Sequence, residues 1–403
     1  MTKMFYVSKF LKNNNMNIQL FKPKYRKEEI LSEIEECLDL GWTGLGFKTT
    51  KFEEAFKKYA DIPHAHHVSS NTSGLQIAIK ILKDTNKWKD GDEIITTPLT
   101  FVSSNHSIVY NNLTPIFADV DDSLCLDLKS IKSKVTKKTK AVLFVGIGGN
   151  IGQYNEILEY CNQQGFKLIL DAAHMAGTKI NKIYHGAIQS KQQVGWDADV
   201  TVFSFQAVKN LPTADSGMIC FQNKDYDSLA RKLSWLGIDK DTFKRTNEKG
   251  NYKWDYDVID YGFKAHSNSI MASMGLVGLK YLDEDNKRRR EICELYDKGF
   301  NSNSKIKTIK HNPKCESSRH LYQIQVNNRD NILEYLNNNN IFPGVHYKDN
   351  TQYEIYSYGF GTCPNTHKSS NELISLPLHL FLTNKEIEYV IEKVNEAVKI
   401  WNY

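Results

Sequence analysis

The sequence predicts an α/β chain: a mostly parallel seven-stranded sheet covered by helices, followed by a smaller C-terminal α+β domain. Three observations predict it. Seven short runs of β-branched and apolar residues follow one another between His66 and Gln222. Most are separated by helical stretches such as "SGLQIAIKILKD" and "NEILEYCNQQG". Their hydrophobicity is continuous rather than alternating, as expected of strands buried on both faces.

Taken in order, residues 1–20 end in the polar "KNNNMN" and read as an N-terminal arm, either docked or frayed. "KEEILSEIEECLDLG" predicts an amphipathic helix closed by Gly41, and "TTKFEEAFKKYA" a second helix. The seven strand runs are "HHVSS", "EIITT", "PIFADV", "AVLFVGI", "KLILDAA", "DVTVFSF" and "GMICFQ". The link between the last two is too short for a crossover helix, so one of them should run antiparallel. The texture changes near Gly275, which divides a large domain (21–275) from a small one (276–403). In the small domain, "KYLDEDNKRRREICELYDKGF" is a long charged helix, "HLYQIQV" a strand and "NILEYLNNNN" a helix. "NKEIEYVIEKVNEAVKIW" closes the chain as an amphipathic helix with Ile387, Val390, Ile391, Val394 and Val398 on one face.

Composition sets the outer limits. The chain has 403 residues, 40% apolar and 25% charged, which is ordinary for a globular protein with a sizeable core. A net charge of +5 against 52 basic and 47 acidic residues gives no sign of a nucleic-acid or membrane partner. Seven scattered cysteines without a CxxC fit reduced thiols in a cytoplasmic protein and argue against a zinc site. No apolar run approaches the roughly 20 residues needed to span a bilayer. The N-terminus lacks the features of a signal peptide.

In open α/β sheets, chemistry collects at the carboxyl ends of the strands. Here those ends are "NTSG", "PLTF", "DAAH" and "QAVKN". The small hydroxyl residues of "SSNTSG" either cap the next helix or turn its N-terminus toward a phosphate. Asp171 closes an apolar strand and either caps a helix or pairs with a heterocyclic nitrogen. His174 follows within reach of the same ligand. Phe101 is a core residue or an aromatic platform, and Ser204 a hydroxyl donor at a strand end. Lys209 sits at the centre of a polar turn between two buried strands, as a surface charge or as a desolvated amine. Taken together, a phosphate cradle, an aromatic face, a carboxylate and a lysine are the set that pyridoxal phosphate requires.

The chain resembles the DegT/DnrJ/EryC1/StrS aminotransferases, the sugar-aminotransferase branch of the fold-type I pyridoxal phosphate enzymes. The resemblance runs from about Phe21 to the C-terminus. It includes "LGWTGLGFKTTKFEEAFKKYA", "SSNTSGLQIAI", "LILDAAHMAGT", "FSFQAVKNLPTADSGMI", "YDVIDYGFKAHSNSIMASMGL", "PGVHY" and "ISLPLH". It implies that Lys209 holds the cofactor as a Schiff base and moves the proton, with Asp171 on the pyridine nitrogen. His174 would lie near the phenolic oxygen and Phe101 would stack on the ring. Thr72, Ser73 and Ser204 would hold the phosphate. It also implies a homodimer with shared active sites, Lys264 reaching the neighbour's phosphate. His320, His346 and Tyr347 match small-domain positions on the substrate side.

By the same resemblance, L-glutamate would donate the amino group. The acceptor would be a nucleotide-linked keto-deoxysugar destined for surface polysaccharide, or else a small phosphorylated ketone. The chain departs from the family at Lys264, His266, Ala214, Ser216 and Gly146, where the family usually has asparagine, arginine or asparagine, glycine, glycine and histidine. Three other readings compete. The family's sugar dehydratases replace the lysine, which Lys209 retains. A non-catalytic sensor that binds the cofactor would be expected to lose Lys209 or Asp171. A Rossmann oxidoreductase would need a GxGxxG after the first strand, and none is present.

Overall fold

The structure is a computed structural model that describes residues 16–184, 187–239 and 256–401. Its centre is a seven-stranded sheet. Across the sheet the strands run His64–Val68, Gly217–Phe221, Val200–Ser204, Lys167–Ala172, Thr139–Val145, Glu93–Thr96 and Thr114–Phe117. Each of the seven anticipated runs supplies one of them. Only Gly217–Phe221 is antiparallel to its neighbours, pairing with both Val200–Ser204 and His64–Val68. The short link after Ser204 therefore has the predicted consequence.

Burial on both faces explains the continuous apolar pattern. Along one strand, Val142 and Phe144 belong to one core cluster while Ala141 and Leu143 belong to another on the opposite face. The first cluster is filled by Phe52 and Phe56 of the helix Phe47–Ala60. The second takes Leu75, Ile79 and Leu82 from the helix Asn71–Thr85. The parallel strands thus end at one edge of a rigid slab, where the loops that follow them converge.

Two features go beyond the sequence prediction. Lys179–Tyr184 and Ala187–Gln193 form an antiparallel hairpin, joined by Cys315–Glu316 into a second small sheet. Their sequence is rich in lysine and glutamine, so its apolar alternation is faint. The long charged helix also begins earlier than its charges do, running Ser269–Phe300 from the cap Asn268, whose side chain accepts from the Met271 amide at 2.9 Å. It passes unbroken through residue 275. Its first half packs on the large core through Ala272 and Leu282. Its second half packs on a separate core through Ile292, Tyr296 and Phe300.

That second core lies under the antiparallel strands Lys307–Thr308, Tyr322–Gln325 and Leu373–Leu376. The helices Arg329–Asn338 and Asn384–Trp401 cover it, and Ile387, Val390, Val394 and Val398 are buried as their spacing requires. The arm's described part is docked on this unit. Ile18–Gln19 pairs parallel with Ile341–Phe342, and the Leu378 amide donates to the Leu20 carbonyl at 3.0 Å. Residues 1–15 of the arm lie outside the described residues. No helix among the described residues is long and apolar enough to cross a membrane.

Candidate active site

The strand ends surround a cavity of about 460 Å³. That size suits a cofactor with a small ligand. Ser70 and Thr72 enter it from the start of the helix Asn71–Thr85, Thr100 and Phe101 from the loop after Glu93–Thr96, and Ser103 and Ser104 from the helix Val102–Val109 that follows. Asp171, His174, Ser204 and Lys209 come from the next two strand ends, and Phe21, His320, His346 and Tyr347 close the far side.

The hydroxyl run does two jobs. Ser70 caps the helix Asn71–Thr85 by accepting from the Ser73 amide at 3.1 Å, and Ser73 Oγ accepts from the Ser70 amide at 3.2 Å. That reciprocal pair is a capping box, so replacing Ser70 by alanine should cost about 1 kcal/mol, read as a lower unfolding midpoint. Ser73 spends its hydroxyl in the cap and does not line the cavity. Ser70 and Thr72 do, beside a helix N-terminus that favours an anion. Ser204 is buried and lines the same cavity.

Asp171 does not cap a helix; the chain after it turns into the hairpin strand Lys179–Tyr184. Its carboxylate accepts from Asn71 Nδ2 at 3.1 Å, the Ala173 amide at 3.1 Å and Ser104 Oγ at 2.7 Å. Burial raises its pKa, against the lowering effect of these hydrogen bonds and of Lys209. A carboxylate held by three donors yet still short of compensation is set to pair with a buried cation. Asn71 and Ser104 were not singled out from the sequence. Asn71 lies in the quoted "SSNTSG" and Ser104 one helical turn after Phe101, so position at a strand end was the available signal.

Lys209 is half-buried in a turn whose amide donates to the Gln206 carbonyl at 2.8 Å. Burial lowers its pKa to about 8, while the charge of Asp171 pulls the other way. Among the described residues its amine has no hydrogen-bond or ion-pair partner. It is a desolvated primary amine facing a cavity.

His174 is fully within the wall. The Gly148 amide donates to its Nδ1 at 3.1 Å, so the neutral ring carries its proton on Nε2. That Nε2 lies 3.1 Å from Tyr347 Oη. Burial, then the charges of Lys209 and His346, push its pKa well below the ordinary histidine value. Tyr347 packs 6.2 Å from the ring of Phe101, which is 59% exposed at the cavity mouth. His346 Nδ1 bonds Ser375 Oγ at 2.9 Å.

Lys264 is not in this cavity. It sits with Trp42, Trp235 and His266 in a second one of about 340 Å³, its Nζ 3.3 Å from the centre of the Trp235 ring. Within one chain the structure therefore brings together Thr72, Phe101, Asp171, His174, Ser204, Lys209, His320, His346 and Tyr347, and leaves Ser73 and Lys264 apart.

The departures have local explanations. Ala214 holds a left-handed φ of 75°, where glycine would be unstrained. Ser216 uses its hydroxyl to bond His67 Nε2 at 2.9 Å. A Cβ at Gly146 would fall 1.9 Å from Met175 Sδ, so the Met175 side chain fills the space a larger residue would take. Gly146 therefore does not enlarge the cavity. Gly146→Ala should destabilise the fold by about 1–3 kcal/mol through overpacking, with Met175→Ala restoring much of the loss in the double variant. Chemical denaturation of the three proteins measures both terms.

Comparison with known proteins agrees with this geometry. The spore coat polysaccharide biosynthesis protein SpsC of Bacillus subtilis is 32% identical over 389 residues, 94% of this chain and 96% of that protein. The aminotransferase TlmJ of Streptoalloteichus hindustanus superposes with a TM-score of 0.86 at 28% identity, covering 96% of this chain and 100% of that one. Spr1654 of Streptococcus pneumoniae, solved in its PMP form, superposes with a TM-score of 0.85 at 27% identity, covering 95% and 100%. Pyridoxal 5'-phosphate is the cofactor, and the free amine of Lys209 and the uncompensated carboxylate of Asp171 fit it. Residues 24–395 match the DegT/DnrJ/EryC1/StrS aminotransferase family, and with that match over nearly the whole length the chain belongs to this family of aminotransferases.

Proposed function

We propose that the enzyme moves an amino group from L-glutamate to a keto group of a nucleotide-linked keto-deoxysugar, for the making of surface polysaccharide or another glycan. The observation that carries the proposal is the partnerless amine of Lys209, its pKa lowered to about 8, in one cavity with the buried carboxylate of Asp171. The likeness to a spore coat polysaccharide protein supports the sugar acceptor. The free cysteines fit the cytoplasm as its location.

When bound, pyridoxal 5'-phosphate supplies a carbonyl for the amino group and an electron-poor ring that acidifies the neighbouring C–H bond. Lys209 would hold the cofactor through its amine and would serve as general base and acid for the proton. A pKa near neutrality keeps both of its forms populated. Asp171, fixed by Asn71, Ser104 and the Ala173 amide, would hold a proton on the ring nitrogen. Thr72, Ser204 and the helix N-terminus at Ser70 would hold the phosphate, and Phe101 would stack on the ring. His174 would lie near the phenolic oxygen, and Tyr347, His346 and His320 would face the substrate. Lys264 acts in a neighbouring copy: its cavity lies apart from Lys209, which fits a homodimer that shares its sites.

The test is spectroscopic. Purified enzyme incubated with pyridoxal 5'-phosphate should gain a visible absorption band that L-glutamate bleaches, and Lys209→Ala should not gain it. The bleached form should then convert a nucleotide keto-sugar to its amine in a panel that also contains keto-phosphates. Bleaching without any sugar product, or product from keto-phosphates alone, overturns the sugar acceptor.

A further inference from the structure

Asn210 follows Lys209 directly, is buried, and uses every hydrogen-bonding site it has on one side of the cavity. Its amide nitrogen donates to Asn286 Oδ1 at 2.7 Å and to the Ser318 carbonyl at 2.8 Å. Asn286 is oriented in turn, because its own Nδ2 donates to the Ala176 carbonyl at 3.0 Å. Both Asn210 amide hydrogens are thereby engaged, and its Oδ1 is left as an acceptor. That oxygen lies 2.8 Å from His320 Nδ1, so Nδ1 must be the nitrogen that carries the proton.

The consequence falls on the other nitrogen. A neutral ring protonated at Nδ1 has a bare lone pair on Nε2. His320 lines the cavity, and among the described residues its Nε2 has no hydrogen-bond partner. That atom is not among the buried partnerless ones, so it reaches the cavity. The ring cannot rotate away. It stacks on Phe21 at 5.4 Å with an interplanar angle of 8°, and lies 4.4 Å from the ring of His174. The groups packed around it all oppose a second proton: burial first, then His174, Lys209, Arg289 and His346.

We infer that His320 Nε2 is a fixed hydrogen-bond acceptor for the substrate, with Asn210 as the positioning residue that sets its tautomer. The inference rests on the transamination reading and adds to it the chemistry the acceptor must present. His174 offers Nε2–H to Tyr347, and His320, 4.4 Å away, offers a lone pair. Adjacent histidines of opposite tautomer make a polar wall that rewards a ligand bearing a hydroxyl and disfavours one that presents only apolar groups there. A buried acceptor left unpaired by the wrong ligand is the stronger source of discrimination. The acceptor class is therefore a keto compound with a free hydroxyl facing the small domain.

Two measurements on the holoenzyme test this. The first is nitrogen NMR of protein labelled at histidine, with His320→Gln and His174→Gln used to assign the signals. His320 should show a protonated Nδ1 and a bare Nε2, and His174 the reverse, unchanged from about pH 6 to 8. A proton on His320 Nε2, or a titration of His320 in that range, overturns the inference whether or not the enzyme transaminates. The second compares His320→Leu with His320→Gln. His320→Leu should raise KM for a hydroxylated keto-sugar about tenfold and KM for the matching deoxygenated keto-sugar much less, and His320→Gln should recover most of the loss. Equal losses with the hydroxylated and the deoxygenated sugar, or no rescue by glutamine, would mean a structural role only.

Discussion

Replacement of Lys209 by methionine is expected to abolish transamination while leaving a folded and more stable protein. General acid–base assistance alone is worth about 10²–10⁴-fold. On the proposed function the same amine also holds the cofactor, so the loss should reach about 10⁴-fold or more. Stability should move the other way. The folded-state pKa of Lys209 is lowered from 10.5 to about 8, so folding disfavours its charged form. The sign follows: below about pH 8 the folded protein holds an ammonium that would be better solvated in the unfolded chain. That cost fades as pH rises from about 8 toward 10.5. Methionine keeps the apolar stem and removes the charge. Lys209→Met without cofactor should therefore unfold with about 2 kcal/mol more resistance at pH 7, the gap closing above pH 10. Denaturant melts of the cofactor-free proteins at several pH values measure it. An inactive variant that is also less stable would point to a lysine held for packing, not for chemistry.

The number and the positions of the central strands were legible because burial on both faces leaves a mark that periodicity can read, whereas their order across the sheet was not. "AVLFVGI" and "KLILDAA" carry no polar alternation, and Val142 and Phe144 indeed face one core while Ala141 and Leu143 face the other. The hairpin Lys179–Gln193 left no such mark. The helix Ser269–Phe300 was seen only from its charged half, because its first half is as apolar as a strand. At the site, residue type singled out Lys209 and Asp171, which line one cavity. Lysine and aspartate at strand ends have few alternatives once they occur together. The residues that orient them were harder to read. Asn71, Ser104 and Asn210 are small amides and hydroxyls, common in any loop, and what distinguishes them is partners 100, 67 and 110 positions away. Ser73 shows the converse. It matched a motif, yet its hydroxyl is consumed in capping the helix that the motif opens.

Asp171→Asn should separate two roles that the proposed function gives to one carboxylate. The first, on that proposal, would be to hold a proton on the cofactor's ring nitrogen. Removing one partner of a buried charge pair costs about 3–5 kcal/mol. If that cost falls on the transition state, transamination should drop by about 10²–10³-fold. The second role is electrostatic and acts on Lys209, whose pKa is raised by Asp171 against the larger effect of burial. With asparagine in place, that support is gone and the lysine pKa falls below about 8. Capture of pyridoxal 5'-phosphate by the cofactor-free protein depends on the neutral amine. Its rate should climb with pH and level off near pH 8 in the wild type, and level off at a lower pH in Asp171→Asn. The variant should thus be faster at capture near pH 6.5 while far slower at transamination. Stopped-flow absorbance across pH reads the first quantity, and product formation reads the second. An unshifted capture profile would mean that the Asp171 charge does not reach Lys209, and slower capture at every pH would mean that the amide has disturbed the cavity wall. Asn71 and Ser104 provide the control. Ser104→Ala removes one donor to the carboxylate and keeps its charge, so it should raise the Asp171 pKa and weaken transamination modestly, with the capture profile of Lys209 unmoved at neutral pH.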